Sequence, residues 1–522
     1  MEMTRNIIVI NVNSKKHSIN PMIYSNFIEH LGECIHNGLW AYDPVNVPLV
    51  ERPFLEKIRK DVLEAVKKIK PTVLRAFGGC YSDVYHWKDA VGPRNSRTTV
   101  KNKQWAGRWF MKILPGNFGP EIENQFGTDE FLHFCEEIGA QAYLNVNYST
   151  GTPEEAADWV EYCNGTTNTK YGALRGENGR EKPYNVKYWG IANEIWGFQE
   201  VGREKNPKNY AKQYITFANA MREKDPEIKL VAVGWHKSKW NQTVLKEIGE
   251  DWLDYLSIHH YIPLPVSVNT LIKRKHPHTE KKYYSLLSAD NTYEDVIENA
   301  WNDIITILGK KTHVRIAFDE WGIWYRLKDI IKTNYNLQDG LITALILMTF
   351  QRLSHKSPMA NWAQLVNVVG LVETNQDGII LTPPYLVFKM FREHAYNTLI
   401  EDITIECESF DSKKYGEIRK SFKNPYINCV CTIDESGTEL ALILLNRHFT
   451  DTLNVEIHLN GIEIKETGVK IELNSDSPFD YNTGKNRYKI QINEEKIRDI
   501  KSKKEYKLPA HSLTILKITK KS

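Results

Sequence analysis

The residues Ala142-Tyr-Leu-Asn-Val-Asn147 form an apolar run, which is followed by Thr152-Pro-Glu-Glu-Ala156 and later by Tyr188-Trp-Gly-Ile-Ala-Asn-Glu194. The first and third runs are too short for helices and contain β-branched or aromatic residues, so each is typical of a buried strand. The middle segment is typical of a helix start. Its threonine can act as the N-cap, its proline suits the first turn, and its second glutamate occupies the capping-box position. These residues predict a strand, a helix and a second strand in succession.

The same pattern extends in both directions from this unit. Eight apolar runs are typical of strands, and they cover residues 22–27, 73–77, 142–147, 188–192, 230–234, 255–259, 314–318 and 363–369. Helical patterns lie between most of them; the helix before the seventh run begins at Thr292 and has apolar residues on one face. Eight strand and helix repeats predict a (β/α)8 TIM barrel at residues 21–395.

The pattern changes to short strands alone in the last part of the chain. Strand-like runs cover residues 427–433, 440–445, 455–459, 469–473, 487–492 and 513–518. No long helical segment interrupts them, so residues 396–522 are predicted to form a C-terminal β-sandwich. Residues 1–20 contain one further strand-like run, which we expect to join the sandwich rather than the barrel.

Composition excludes several classes of partner. The 522 residues carry a formal net charge of +3 with no basic stripe, so nucleic acid is not an expected partner. No apolar stretch approaches the length of about 18 residues that indicates a membrane span, and the N-terminus lacks a signal-peptide pattern. The seven cysteines are scattered and lack metal-ligand spacing. We therefore expect a cytoplasmic protein without a membrane partner.

Two glutamates indicate the chemistry. Glu194 follows the fourth strand-like run and Glu320 follows the seventh, and loops after barrel strands form the active sites of TIM barrels. Cleavage of a glycosidic bond with retention needs one carboxyl group as acid and a second as nucleophile, about 5 to 5.5 Å apart. The two glutamates therefore predict a glycosidase site at one rim of the barrel.

Several motifs, distributed from the first predicted strand onward, resemble one known family. They are Ile23-Tyr-Ser-Asn-Phe-Ile-Glu-His-Leu-Gly32, Leu74-Arg-Ala-Phe-Gly-Gly-Cys80, Tyr85-His-Trp-Lys-Asp-Ala-Val-Gly-Pro-Arg94, Gly151-Thr-Pro-Glu-Glu-Ala156 and Trp362-Ala-Gln-Leu-Val-Asn-Val368. The chain resembles glycoside hydrolase family 51, the retaining α-L-arabinofuranosidases. The resemblance extends to the closing Leu508-Pro-Ala-His-Ser-Leu513.

The resemblance assigns roles to the residues that match the motifs. It implies that Glu194 is the general acid/base and that Glu320 is the nucleophile. It also implies that Asn193 binds the 2-hydroxyl group of the sugar, that Glu29 holds another ring hydroxyl, and that Arg75 lies beneath the nucleophile. A cation beside a carboxylate keeps it ionised, which suits a nucleophile.

Five further residues are expected to bind the substrate on the same basis. Cys80 matches a position whose backbone could contact the sugar. His259 and Tyr261 match the family's His-x-Tyr at the end of the sixth strand, where the phenol would orient the nucleophile. Gln364 matches a glutamine near the exocyclic hydroxyl, and Trp324 could form an aromatic wall.

The sequence thus predicts an exo-acting, retaining α-L-arabinofuranosidase that acts on terminal residues of arabino- and arabinoxylo-oligosaccharides. No metal or organic cofactor is expected, and the resemblance implies a homo-oligomer. Three alternatives remain open. They are a β-1,4-glucanase or xylanase on the same barrel, a metal-dependent hydrolase that uses His236, His259 and His260, and a non-catalytic sugar-binding protein. Departures from the commoner family pattern at Ala76-Phe77 and Gly322-Ile323 bear on the glycone rather than on the reaction.

Overall fold

The computed structural model describes residues 5–105, 121–264 and 277–521, and its largest unit is a closed barrel of eight parallel strands. In chain order the strands are Ser25–Phe27, Val73–Ala76, Gln141–Val146, Tyr188–Ile191, Lys229–Val233, Tyr255–Ile262, Arg315–Ile323 and Met359–Ala363. Each strand pairs with its successor, and the eighth pairs with the first. The predicted TIM barrel is confirmed.

Helices connect these strands and cover the outside of the barrel. The described α-helices are Lys60–Ile69, Thr128–Ile138, Pro153–Asn164, Lys170–Glu177, Pro207–Lys224, Ser238–Ile248, Glu280–Leu286, Ala289–Leu308, Leu337–Leu353 and Pro383–His394. Short 3-10 helices lie at Pro21–Tyr24, Cys80–Val84, Trp87–Ala90, Arg94–Ser96, Glu250–Trp252 and Leu327–Ile330. In helix Pro153–Asn164 the hydroxyl of Thr152 accepts a hydrogen bond from the amide of Glu155 at 3.1 Å, as the sequence predicts.

Large side chains fill the amino-terminal end of the barrel. A buried cluster contains one residue from each of six strands and Met22 from the turn before the first: Val73, Tyr143, Tyr188, Val231, Ala317 and Met359. Barrels of eight strands are packed by such layers and are not open pores. Because this end is closed, a substrate pocket can open only at the carboxyl end of the strands.

Several barrel elements differ from their predicted bounds. The first strand begins at Ser25 rather than at residue 22, because residues 22–24 belong to a 3-10 helix, and the sixth strand continues to Ile262. The eighth strand is Met359–Ala363 and not 363–369, because the chain leaves the barrel after Ala363 and adopts left-handed conformations at Asn367 (φ 56°) and Val369 (φ 43°). The seventh strand continues to Ile323 through a register irregularity between Phe318 and Trp321. The helix before it begins at Ala289 rather than at Thr292.

Two further sheets form the predicted β-sandwich. The larger sheet contains, in order, Lys16–Ser18, Thr398–Ile400, Ile427–Ile433, Glu439–Asn446, Ser512–Lys520, Ile464–Leu473 and Ile492–Arg498. The smaller contains Ile403–Glu406, Asn6–Asn11, Leu453–Asn460 and Lys503–Leu508. One buried apolar cluster joins the facing sides of both sheets. The predicted strand at 487–492 is wrong, because the edge strand that begins at Ile492 consists mainly of exposed charged residues without apolar alternation.

Smaller β elements lie outside the barrel and the sandwich. They are the hairpins Val372–Asn375 with Gly378–Leu381 and Ser409–Ser412 with Ser421–Pro425, and the short pair Val100–Lys101 with Glu121–Ile122. All seven cysteines are free thiols, and five of them are buried. Within the described ranges, every helix is either too short or too polar to cross a bilayer.

Candidate active site

The carboxyl end of the barrel brings the two candidate catalytic glutamates together. Glu194 lies three residues beyond the fourth strand, and Glu320 lies within the seventh strand, at its register irregularity. One oxygen of each carboxylate and one ring nitrogen of His259 all lie within 4.8 Å of one another. The two carboxyl groups therefore face a common space.

The backbone turns sharply to present Glu194. Ala192 and Glu194 have φ values of 74° and 36°, a region that residues other than glycine rarely adopt and that is common at functional sites. The amide of Asn145 donates a hydrogen bond to the carbonyl oxygen of Ala192 at 3.2 Å and so supports the turn from the neighbouring strand. The carboxylate is held at both oxygens, by Gln199 Nε2 at 2.7 Å and by His259 Nδ1 at 2.9 Å.

Glu320 accepts hydrogen bonds from two other strands. Tyr261 Oη donates to Glu320 Oε1 at 2.7 Å, and Arg75 Nη1 donates to Oε2 at 3.1 Å. Burial raises the pKa of Glu320, and the neighbouring Glu194 raises it further. His259, Arg75 and Tyr261 act in the opposite direction because they stabilise the ionised form. These donors favour the charged state that a nucleophile requires.

His259 lies at the centre of a buried charge network. Burial alone would lower its pKa, but Glu320 and Asp319, with hydrogen bonds to Asp319 and Glu194, raise it to about 10. The ring is therefore an imidazolium at neutral pH. Asp319 accepts hydrogen bonds from Ser257 at 2.6 Å and from Tyr143 at 2.8 Å. Although burial opposes it, the cations Arg75 and His259 keep the pKa of Asp319 below its usual range.

Arg75 connects three parts of the site. Its Nε donates to Asn145 Oδ1 at 3.1 Å, its Nη2 donates to Asn193 Oδ1 at 2.7 Å, and its Nη1 also bonds the carbonyl oxygen of Asp319 at 3.1 Å. The guanidinium lies 5.0 Å from the centre of the Phe27 ring. Burial disfavours the charge, but Asp319, Tyr143, Glu320 and Glu29 keep the pKa of Arg75 above its ordinary value. Arg75 thus orients the side chain of Asn193 and offsets the negative charges of Asp319 and Glu320.

Glu29 and Gln364 pair at another part of the pocket. Gln364 Nε2 donates to Glu29 Oε2 at 3.0 Å, and the backbone amide of Tyr81 donates to Oε1 at 3.0 Å. Burial, with the charge of Glu320, raises the pKa of Glu29 to about 8. Oε1 of Gln364 is buried, and none of the residues that the structure describes forms a hydrogen bond with it. Both side chains therefore retain polar groups that a sugar could satisfy.

Cys80 and Trp324 complete the set of residues chosen from sequence. Asn193 Nδ2 approaches Cys80 Sγ at 3.8 Å. Trp324 packs edge-on against Tyr261, with ring centres 5.7 Å apart, and donates its Nε1 proton to the carbonyl oxygen of Arg326. All ten residues predicted from the sequence therefore lie at the carboxyl end of the barrel. Each of them contacts at least one other member of the set.

Sequence reasoning did not select several residues of this network. Asp319 and Asn145 are polar residues inside otherwise apolar strands, a signal that could have revealed them. Gln199 and Glu200 lie in an irregular loop, where no pattern marks them. Glu200 is only 5 % exposed, and burial together with Asp83 raises its pKa well above the ordinary value.

The donor atoms at the site suit hydrogen bonding rather than metal coordination. Glu194 and His259 belong, with Glu320, to one cluster of possible ligands, but hydrogen bonds already engage these groups: His259 Nδ1 contacts Glu194 at 2.9 Å, and Tyr261 and Arg75 donate to Glu320. A second cluster contains Cys80, whose thiol pKa is raised well above its ordinary value by burial and nearby carboxylates. His260 lies on the opposite face of the strand from His259 and packs on Tyr293, with ring centres 5.4 Å apart.

A (β/α)8 barrel with two facing carboxyl groups at the carboxyl end of its strands has the fold and site of a glycoside hydrolase. The family model described as "Alpha-L-arabinofuranosidase 1 domain" matches residues 65–276, and "Alpha-L-arabinofuranosidase C-terminal domain" matches residues 319–512. Alpha-L-arabinofuranosidase C of Emericella nidulans is 33% identical over 514 residues, which cover 96% of this chain and 94% of the relative. The chain belongs to the α-L-arabinofuranosidases of glycoside hydrolase family 51.

Further relatives agree with this assignment. The intracellular exo-alpha-L-arabinofuranosidase of Bacteroides ovatus is 30% identical and aligns over 98% of this chain and 95% of its own length. The crystal structure of the alpha-L-arabinofuranosidase arabinose complex from Thermotoga maritima superposes with a TM-score of 0.87 at 32% identity. That alignment covers 98% of this chain and 100% of the Thermotoga chain. The resemblance found in the sequence motifs is confirmed.

Proposed function

We propose that the protein is an exo-acting, retaining α-L-arabinofuranosidase that releases terminal non-reducing α-L-arabinofuranosyl residues by double displacement. The observation that carries the proposal is the proximity of Glu194 and Glu320, whose nearest carboxylate oxygens are within 4.8 Å. Retaining enzymes separate their two carboxyl groups by about 5 to 5.5 Å, whereas inverting enzymes leave about 6.5 to 9.5 Å for a water molecule. The observed spacing supports retention.

Glu320 is the nucleophile in the first step. Its carboxylate attacks the anomeric carbon while Glu194 protonates the oxygen of the departing group, so that a glycosyl-enzyme ester forms and the glycosidic bond breaks. The hydrogen bonds from Tyr261 and Arg75 favour the ionised form of Glu320, against the effect of burial, and fix its orientation. In the second step Glu194 removes a proton from water, which attacks the same carbon and releases the sugar.

The remaining residues bind the glycone. Because Asn193 Oδ1 accepts a hydrogen bond from Arg75, the donor for the 2-hydroxyl oxygen is the Nδ2 group of Asn193, which has a second proton besides the one directed at Cys80 Sγ. Glu29 and Gln364 are positioned to bind other hydroxyls, and both are almost fully buried. A pocket that ends in buried polar groups accommodates one terminal sugar, which supports exo action.

The name of one relative bears on location and mode of action. The Bacteroides ovatus relative is named an intracellular exo-alpha-L-arabinofuranosidase, which supports a cytoplasmic, exo-acting enzyme. We propose that its substrates are imported arabino- and arabinoxylo-oligosaccharides. The family resemblance also supports a homo-oligomer. Light scattering coupled to size-exclusion chromatography would measure that assembly directly.

Azide rescue tests the roles of the two glutamates. With p-nitrophenyl α-L-arabinofuranoside, Glu320→Ala should be inactive, and azide in the vacated space should give the β-configured glycosyl azide. Glu194→Ala should form the glycosyl-enzyme slowly, and azide attack on it should give the α-configured product. Matched Glu→Gln variants control for folding. The same azide anomer from both Ala variants would contradict the assignment.

Product analysis tests the mode of action. A linear arabino-oligosaccharide labelled at its reducing end should shorten by one residue at a time, and the first arabinose released should retain the α configuration by NMR. Internal fragments from a polymer would favour a glucanase or xylanase, and absence of turnover by the wild type would favour a sugar-binding protein.

A further inference from the structure

The loop that follows Glu194 exposes apolar side chains beside the acid/base. In the described part of the chain, five large apolar side chains are more than a third exposed, and two of these, Phe198 and Val201, lie on this loop. Phe198 is 67 % exposed and lies only four residues from Glu194. An exposed aromatic ring offers a flat apolar face, and here the next residue along the chain, Gln199, bonds the acid/base.

The loop is anchored rather than free. The amide nitrogen of Glu204 donates to the carbonyl oxygen of Ile195 at 2.8 Å, which closes the loop at its base. The side chain of Gln104 donates to the carbonyl oxygen of Gln199 at 3.0 Å. Gln199 in turn donates to Glu194 at 2.7 Å. These bonds anchor the loop that carries Phe198, and the residue after Phe198 is the one that bonds the acid/base.

Because Glu194 is the general acid in the proposed function, the loop that follows it lies near the departing part of the substrate. A general acid must lie within hydrogen-bond reach of the leaving oxygen, so the departing sugar lies on the Glu194 side of the pocket. The glycone instead contacts Asn193, Glu29 and Gln364. A second aromatic surface lies on the same side, where Trp196 stacks on Trp235 with ring centres 4.6 Å apart.

We propose that Phe198 binds the departing sugar of an oligosaccharide substrate by stacking against its apolar face, and so sets leaving-group specificity. The inference rests on the proposed function, because it takes Glu194 as the acid. By the same geometry, Phe198 binds an incoming sugar in the second step. The glycosyl-enzyme can then transfer arabinose to a sugar hydroxyl in place of water, with Glu194 accepting the hydroxyl proton as the ester bond breaks.

Two substrates with the same glycone test the proposal. The first is an arabinofuranosylated xylotriose, and the second is methyl α-L-arabinofuranoside, whose leaving group has no ring. The ratio of their kcat/KM values should fall about two- to tenfold in Phe198→Ala, which is the range for one lost aromatic contact. Phe198→Tyr should restore the ratio, whereas Phe198→Leu should not. Phe422→Ala removes another exposed ring, on a hairpin beyond the barrel, and should leave the ratio at the wild-type value.

A second readout uses the transfer reaction. With xylobiose as acceptor, the yield of transfer product relative to free arabinose should fall in Phe198→Ala and return in Phe198→Tyr. An unchanged substrate ratio in Phe198→Ala, or a Tyr variant no better than the Leu variant, would overturn the inference while leaving the proposed function intact. A wild-type protein that hydrolyses neither substrate would overturn both.

Discussion

The hydroxyl group of Tyr261 gives the sharpest test of how the nucleophile is kept ionised. Tyr261→Phe removes only the donor that lies 2.7 Å from Glu320 Oε1 and keeps the ring. Burial already raises the pKa of Glu320, and the phenol opposes that shift because it stabilises the carboxylate. Its loss must therefore raise the pKa further, so that ionisation of the nucleophile requires a higher pH.

The size of the effect follows from the energy of one hydrogen bond. A hydrogen bond to a charged group contributes about 1.5 to 3 kcal/mol, and about 1.4 kcal/mol corresponds to one pH unit. The acid limb of the kcat/KM profile, which reports the free enzyme, should move upward by about one to two pH units. At a pH on the wild-type acid limb, kcat/KM should fall roughly 10- to 100-fold.

The assay measures kcat/KM with p-nitrophenyl α-L-arabinofuranoside from pH 4 to 8. Tyr293→Phe is the matched control, because that phenol donates at 2.8 Å to the backbone carbonyl of His260 and not to Glu320. Its acid limb should coincide with that of the wild type. A Tyr261→Phe variant that is folded and has an unshifted acid limb would refute the reasoning.

Two further predictions concern buried titratable groups. Burial raises the pKa of Glu29 to about 8, so the folded protein binds a proton that the unfolded chain releases near pH 4.3, and stability falls as pH rises between these values. The Glu29→Gln side chain cannot ionise. Scanning fluorimetry should therefore show that this variant exceeds the wild type in melting temperature by more at pH 8 than at pH 5. The same difference in melting temperature at both pH values would argue against a buried neutral Glu29. With its pKa raised to about 10, His259 contributes stability that is fully present below about pH 6.5 and is lost as pH rises through 10. Its ring 15N shifts should remain those of an imidazolium from pH 6 to 9, and a transition near pH 6.5 would contradict the charge network.

The fold was predictable wherever burial imposes an apolar pattern. Barrel strands are buried on both faces and read as short apolar runs, which is why residues 142–147 and 188–192 mark their strands closely. The eighth strand was misplaced because the buried loop at 364–369 is as apolar as the strand before it. The edge strand Ile492–Arg498 was missed because it is mostly exposed and carries no alternation.

The site was predictable where a motif matched, but its contacts were not. Position after a predicted strand selected Glu194 and Glu320, a matched motif selected Arg75, and the structure brings the three together. Asp319 was not selected because one of its partners, Tyr143, comes from the third strand, which only closure of the barrel brings close to the seventh. The catalytic and binding roles remain predictions that the variants above test.

The N-terminal strand Asn6–Asn11 pairs in parallel with Leu453–Asn460 and antiparallel with Ile403–Glu406. During translation at about 5 to 20 residues per second, this strand leaves the ribosome on the order of 20 to 90 s before its parallel partner exists. Its edge must remain unpaired in that interval, and a nascent chain with an open strand edge is prone to aggregate. Lys16–Ser18, which pairs with Thr398–Ile400, also precedes the barrel, so a gene cut between barrel and sandwich removes two strands from the sandwich. The sandwich therefore cannot be moved to another protein, or replaced, as a continuous C-terminal segment.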